Sequence, residues 1–574
     1  MQTQTQAPKM FNRINVPQKA NNLRIIPLGG CEEVGRNMTI FEYGNDIVIL
    51  DMGLQFPEED MPGIDYVIPN VEYLKGKEKN IRAVVFSHGH LDHIGAAAIL
   101  LNKLGNPQVI GRPLTLEMVK HRVEDLHHGA SKKLKTLYIQ DLNQKINLGA
   151  FTLAFFQVDH TIMDAVGVIL ETPSATVIHP GDWTIEKDPI GRAPLTYTHL
   201  ANLKRPTVLM LESIGSTSSK EPVTEEEMLN NLYMLMERAP GRTIIATFSS
   251  QIERIKQILE FAARTNRKVA LDGFSMKLNI ELATKLGYIK IPKGTIITTD
   301  KAHTYPDNKV VIVCTGAQGE EMAALSRIVA GNHKHIKIKK EDTVIFSSSV
   351  VPGNERTVQR LKDNLYRQSD YVYHSDIIDV HMTGHGNING IKQMIREIQP
   401  DYFVPVYGNH FMLKEAAKIA REMGFRKDKI FVPDNGSILR ITKDTADILQ
   451  EKVPANYVFV DGLGVGDVGE IVLRDRQMLA EDGMFVIVTV IDRLTGRVKG
   501  SPDIISRGFV YLRESKDLLT QTRKKVVEIV DKSAGHGGPV NWTYVKDEIR
   551  NKVGDFLASK TSRRPMILPV VIEV

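Results

Sequence analysis

The sequence predicts an α/β protein of several domains, and three observations carry that prediction. Its 574 residues exceed what one hydrophobic core organises, which calls for two to four domains. From Leu23 to about Thr217, short apolar runs such as Asp46–Leu50 and 81–86 are separated by Gly/Asp/Asn turns. Continuous apolar runs of that length are buried strands, and two such sheets covered by helices make an α/β sandwich. From about Glu221 to Asp370, helical stretches (224–238, 251–265) alternate with the strands Thr243–Ala246, Val310–Cys314 and Thr343–Phe346, as in a parallel sheet of its own.

The remaining elements follow in order. Residues 1–20 are polar and lack an apolar segment, so they read as a flexible tail rather than a secretory signal. The first sandwich part is expected over 21–217, the inserted unit over 218–375, and the returning sandwich over 376–447 around a long helix at 389–398. A linker is expected over 448–466, and a C-terminal α/β unit over 467–574. The stretch 333–340, His-Lys-His-Ile-Lys-Ile-Lys-Lys, alternates like an edge strand with one basic face, open to solvent or to nucleic acid.

Composition narrows the classes. Hydrophobic residues at 42% and charged residues at 25% are those of a globular protein, and no apolar run reaches the roughly 18 residues of a membrane helix. Two cysteines, Cys31 and Cys314, argue against a disulfide scaffold and fit a reducing cytoplasm. They also exclude a thiolate-rich metal site, leaving His and carboxylate as ligands. The net charge of +5 permits a polyanionic partner.

The chemistry is concentrated at Ser87-His88-Gly89-His90-Leu91-Asp92-His93-Ile94-Gly95, between a buried strand and an apolar helix. Three imidazoles and a carboxylate at a strand end converge on one point, and they are the ligand types that hold Zn²⁺ or Mn²⁺ with positions left for water. His88 and His90 can reach one ion; Asp92 and His93 can reach a second.

This HxHxDH pattern is the signature of the metallo-β-lactamase fold. In that resemblance Asp51 supports the ligands, His160 is the next ligand, and Asp182 bridges two ions. The segments 314–327 and 346–355 resemble the β-CASP insert of nucleic-acid-processing members. His381-Met382-Thr383-Gly384-His385-Gly386 resembles their HxSGH motif, and 461–469 and 502–511 resemble the C-terminal region of ribonuclease J. The likeness to the bacterial ribonuclease J family runs in order over most of the chain. It implies a metallo-β-lactamase αββα sandwich with an inserted β-CASP α/β domain and a small C-terminal α/β domain.

The resemblance further implies a cytoplasmic 5′-to-3′ exoribonuclease with endonuclease activity, acting on single-stranded 5′-monophosphorylated RNA in mRNA decay and rRNA maturation. Such enzymes bind two Zn²⁺ per chain, with Mn²⁺ an alternative, and form homodimers or homotetramers. The expected metal ligands are His88, His90, Asp92, His93, His160 and Asp182. His385, with Asp92 and Asp182, is expected in catalysis, contacting the scissile phosphate or protonating the leaving group. Ser347, Ser348, Ser349, His381, Thr383, Gly384 and His385 are expected around RNA and its 5′-phosphate.

The chain departs from the family at its last ligand. In Pro405-Val406-Tyr407-Gly408-Asn409-His410, Tyr407 replaces the histidine and Asn409 the glutamate. A phenol, with an ordinary pKa of about 10, is a poor ligand unless ionised. The second ion is then held weakly by the rest, or His410 substitutes, or the chain is a weakened partner of an active paralogue. Smaller departures are Glu212-Ser213-Ile214-Gly215 for Asp-Ser-Thr-Asn, and Gln251 and Glu253 for the usual Asn and His.

Overall fold

The computed structural model describes residues 22–574 apart from 59, 352, 511–514 and 535–540; the expected tail at 1–20 lies outside them. These residues form two compact units, one of 22–55 with 68–457 and one of 56–67 with 458–574.

In the first unit, an eight-stranded sheet runs Ala446–Lys452, Ser437–Ile441, Leu23–Gly29, Met38–Tyr43, Asp46–Leu50, Ile81–Val85, Val109–Gly111, Thr136–Tyr138. A six-stranded sheet runs Tyr402–Val406, Thr207–Glu212, Thr176–His179, Val166–Glu171, Phe151–Gln157, Ile146–Leu148. Leu50, Val85, Val168, Val208 and Val404 share one core at no more than 1% exposure, each stabilising the fold by about 1.5–3 kcal/mol relative to exposure. Helices cover the second sheet's other face: Ile391, Met394, Ile395 and Ile398 lie in one core with Ile178 and Leu209. The four recur at helical spacing, which gives the helix Ile388–Ile398 its single apolar stripe. Asn387 Oδ1 accepts from Gly390 N at 2.9 Å and fixes where that helix begins. Met38–Tyr43 and Thr207–Glu212 are buried throughout, as strands covered on both faces must be.

The insert has a six-stranded sheet in the order Ile296–Ile297, Lys268–Asp272, Val310–Cys314, Thr243–Ala246, Thr343–Phe346, Tyr371–Tyr373, with every pair parallel. Apolar cores lie on both its faces.

Two expectations are corrected. The stretch 333–340 is not a strand. The buried His333 ring accepts Ile336 N at 2.9 Å through Nδ1 and faces Asp272 Oδ2 at 2.7 Å through Nε2, and Asp342 Oδ2 accepts Lys339 N at 2.8 Å. Side chains therefore satisfy backbone donors that a neighbouring strand would otherwise bind. Lys339 and Lys340 are paired with Asp307 and Asp370. The expected linker at 448–466 is partly strand: Ala446–Lys452 turns back at 442–445 and pairs antiparallel with Ser437–Ile441, and Val458–Asp461 is a further strand.

In the second unit, Met484–Ile491 pairs antiparallel with Asp503–Arg507 and parallel with Met566–Glu573. Its alternate residues Phe485, Ile487 and Ile491 pack with Val526, Val530, Ile549, Val553 and Leu557 of the helices Lys516–Ala534 and Trp542–Thr561. Among the described residues no helix is long and apolar enough to cross a membrane.

Topology places the chemistry. Asp46–Leu50 and Ile81–Val85 are parallel neighbours, as are Thr176–His179, Thr207–Glu212 and Tyr402–Val406. Their carboxyl ends deliver Asp51, Ser87–His93, Asp182 and Tyr407 to one edge of the sandwich.

Candidate metal centre

Two sets of ligand atoms converge. His88, His90, His160 and Asp182 each offer an atom within 4.8 Å of the others, and so do Asp92, His93 and Asp182. Asp182 belongs to both. His90 Nδ1 lies 3.1 Å from His88 Nε2 and 3.0 Å from His160 Nε2. Burial, the largest influence, pulls the pKa of His90 down to about 4 and that of His160 to about 3, and holds His88 well below its usual value. Neutral rings turned nitrogen to nitrogen present lone pairs to a shared point.

The second set has the opposite charge logic. Burial pulls on His93, but Asp182, Asp92 and Asp51 outweigh it and hold its pKa well above the usual value. Burial also resists ionisation of Asp182, yet the neighbouring histidines, His93 first, keep its carboxyl well below the ordinary range. Asp182 Oδ1 is buried without a hydrogen-bond partner, facing His93 Nε2 at 3.2 Å. A buried carboxylate oxygen aimed into a cluster of imidazoles, with no hydrogen bond of good geometry, is suited to a cation. The residues fit a divalent metal.

Supporting residues aim these ligands. Asp51, in the left-handed region at φ 62°, accepts Ser87 N and Ser87 Oγ, each at 2.8 Å, and meets His93 Nδ1 at 2.8 Å. That fixes the His93 ring with Nε2 inward. His160 Nδ1 donates to Gly384 O at 2.9 Å. A Cβ on Gly384 would sit 2.9 Å from the His160 ring, so only glycine allows this approach.

Sequence reading missed several contributors, Asn37 and Glu212 among them. Asn37 Nδ2 lies 3.3 Å from Asp92 Oδ2 and 3.0 Å from His93 Nε2; a single Asn between Arg36 and Met38 gives no signal of that. Glu212, noted only as a departure, is fully buried and faces His385 Nδ1 at 3.4 Å. Burial alone would lower the His385 pKa, but Glu212, with Asp182 and Asp92, raises it to about 9. His385 therefore carries its proton at neutral pH, with its ring 5.7 Å from that of His160.

Tyr407 is buried beside His93 and His179, at ring separations of 5.3 and 5.0 Å. Its hydroxyl donates to Asp51 Oδ2 at 3.5 Å. Burial, and then the Asp51 charge, push its pKa well above the usual 10, so the phenol is neutral. His410 is not brought to the cluster. It opens the helix His410–Glu422, is 51% exposed, and faces Asp434 at 3.8 Å.

Two of the expected phosphate residues, Ser347 and His381, meet at Arg254. Its Nη1 donates to Ser347 O at 3.3 Å, Ser347 Oγ at 3.0 Å and His381 Nδ1 at 2.9 Å. Ser347 Oγ in turn donates to Val380 O at 2.7 Å. Gln318 braces the same loop through Ser349 O at 2.7 Å and Val351 N at 2.8 Å. Ser348 is buried and Ser349 exposed, while Thr383 Oγ1 accepts His385 N at 3.3 Å.

Comparison with known proteins identifies the domains. Family models match for the metallo-β-lactamase superfamily at residues 32–213, the ribonuclease J β-CASP domain at 240–365 and the ribonuclease J C-terminal domain at 471–574. The chain is 37% identical over 561 residues to Ribonuclease J 1 of Streptococcus pyogenes, covering 97% of this chain and 99% of that one. It is 35% identical over 559 residues to Ribonuclease J2 of Bacillus subtilis, covering 97% and 100%. It is 34% identical to Ribonuclease J 2 of Staphylococcus aureus, covering 97% and 100%. A solved Enterococcus faecalis protein of unknown function shares the fold at TM-score 0.52 and 15% identity, over 75% of this chain and all of that one.

Proposed function

The chain belongs to the ribonuclease J family and is a metal-dependent RNA hydrolase of the metallo-β-lactamase fold; on that premise we propose that it degrades single-stranded RNA from a 5′-monophosphorylated end, with endonucleolytic cleavage by the same site. The observation that carries this reading is the pair of ligand sets joined by Asp182. His88, His90, His160 and Asp182 would hold one ion, and Asp92, His93 and Asp182 the other. Zn²⁺ suits this His-rich donor set, with Mn²⁺ the alternative. Divalent cations bound there lower the pKa of water and neutralise phosphoryl charge.

The chain's own residues supply the rest. Glu212 holds His385 protonated, and the Nε2 proton of His385 is available to the departing oxygen. Arg254 is 4% exposed, and among the described residues no carboxylate pairs with it. A buried guanidinium with no directly paired carboxylate, on which Glu225 acts only through space, favours an anion, which supports placing the terminal 5′-phosphate at Ser347–Ser349 and His381. With those groups anchoring the 5′ end, cleavage proceeds in the 5′-to-3′ direction. We place the protein in the cytoplasm, in mRNA decay and rRNA maturation, as a homodimer or homotetramer.

A second reading rests on Tyr407. A neutral phenol adds no ligand to the Asp92, His93, Asp182 set, which favours a weakly active RNA-binding partner of an active paralogue. Incubation with otherwise identical 5′-monophosphorylated RNA, 5′-triphosphorylated RNA and DNA tests the proposal. Preferential loss of single nucleotides from the monophosphorylated RNA supports it. RNA binding without cleavage supports the second reading, and equal cleavage of DNA contradicts both.

A further inference from the structure

Each imidazole at the cluster has an orienting partner, and three of the four partners come from the sandwich. His88 Nδ1 meets Ser87 Oγ at 3.0 Å, His93 Nδ1 meets Asp51, and His160 Nδ1 donates to Gly384 O. His90 differs. Its Nδ1 faces the cluster, and its Nε2 lies 3.0 Å from Ser250 Oγ, within the segment matched by the β-CASP model.

This contact fixes a tautomer. With Nδ1 as the ligand atom, the proton of the neutral ring must sit on Nε2, where Ser250 Oγ accepts it. Groups that accept the outer N–H of a ligating histidine set both ring orientation and basicity. Ser250 is itself held firmly. It sits in the turn between Thr243–Ala246 and the helix Ile252–Arg264, where Ser250 O accepts Ile252 N at 2.8 Å and Ser249 O accepts Asn279 Nδ2 at 2.9 Å. One turn along the same helix, Arg254 reaches Ser347 and His381.

We propose that Ser250 is a positioning residue for His90, through which the seating of the inserted domain on the sandwich sets the affinity of the His88–His90–His160–Asp182 position for its metal. The proposal rests on the reading of this cluster as a metal centre.

The test is zinc affinity, measured on the full chain by competition with a chromophoric chelator. Ser250→Val and Ser250→Thr have nearly the same shape and differ in the hydroxyl, so packing is controlled. Ser250→Val is expected to bind the tighter zinc about 10–100-fold more weakly than wild type, while Ser250→Thr retains wild-type affinity. Equal affinity in all three chains, with tight wild-type binding, overturns this inference and leaves the metal centre standing. Loss of affinity in Ser250→Thr equal to that in Ser250→Val also overturns it. Wild-type binding no tighter than that of His88→Ala overturns the metal centre and the inference together.

Discussion

Replacing Glu212 by Gln tests how the proposed proton donor works. Burial draws the His385 pKa down, and the facing Glu212 charge is the largest influence raising it, to about 9. A group whose pKa is raised keeps its proton below that value and loses it above. If His385 is the acid, kcat/KM therefore falls as pH rises through about 9. An opposite charge at this distance is worth about 1–3 pKa units. A shift of about 2 units in Glu212→Gln moves the alkaline limb to about 7, and at pH 8 the protonated fraction drops from about 0.9 to about 0.1. The assay is initial-rate cleavage of a labelled 5′-monophosphorylated RNA across the pH range. Roughly tenfold loss at pH 8 is expected, with near-wild-type rates on the acid side of about pH 6.5. A uniform loss at all pH values, or an unmoved alkaline limb, refutes the argument.

Other outcomes follow from the same geometry. Tyr407→His places an imidazole beside His93 and should raise tightly held zinc by about one ion per chain, counted by elemental analysis after exhaustive dialysis; an unchanged count means that the site does not lack this ligand. Gly384→Ala forces a Cβ to 2.9 Å from the His160 ring and should weaken zinc binding about tenfold or more, with thermal unfolding as the control for the fold. Arg254→Ala should erase discrimination between 5′-monophosphorylated and 5′-hydroxyl RNA while leaving zinc content unchanged; retained discrimination would place the terminal phosphate elsewhere.

Much of the sandwich is legible in the sequence because its strands are covered on both faces. Continuous apolar runs such as Ile47-Val48-Ile49-Leu50 have few alternatives, and the strand–helix alternation of the insert shows its parallel sheet. The four ligands in 88–93 are adjacent in sequence, so local pattern is enough to find them. The stretch 333–340 misled for the converse reason. Its alternation is real, but Asp342 and the His333 ring satisfy the backbone donors, and side-chain capture of that kind leaves no periodic trace. Asn37 and Glu212 act across the chain, 55 and 173 positions from Asp92 and His385 respectively, and only the fold brings those pairs together. His410 shows the same limit from the other side: it is three residues from Tyr407, yet its helix turns it toward Asp434. Gly384 fits the family motif by residue type, while its contact with His160 is visible only in three dimensions.

The central claim is that the His88–His90–His160–Asp182 set holds a metal required for RNA cleavage. The most direct measurement compares purified wild-type chain with His88→Ala, recording bound zinc, unfolding temperature and cleavage of 5′-monophosphorylated RNA on the same samples. The account predicts that His88→Ala loses the tightly bound ion and all detectable cleavage while remaining folded. Cleavage at the wild-type rate by a folded His88→Ala chain without that ion would contradict it.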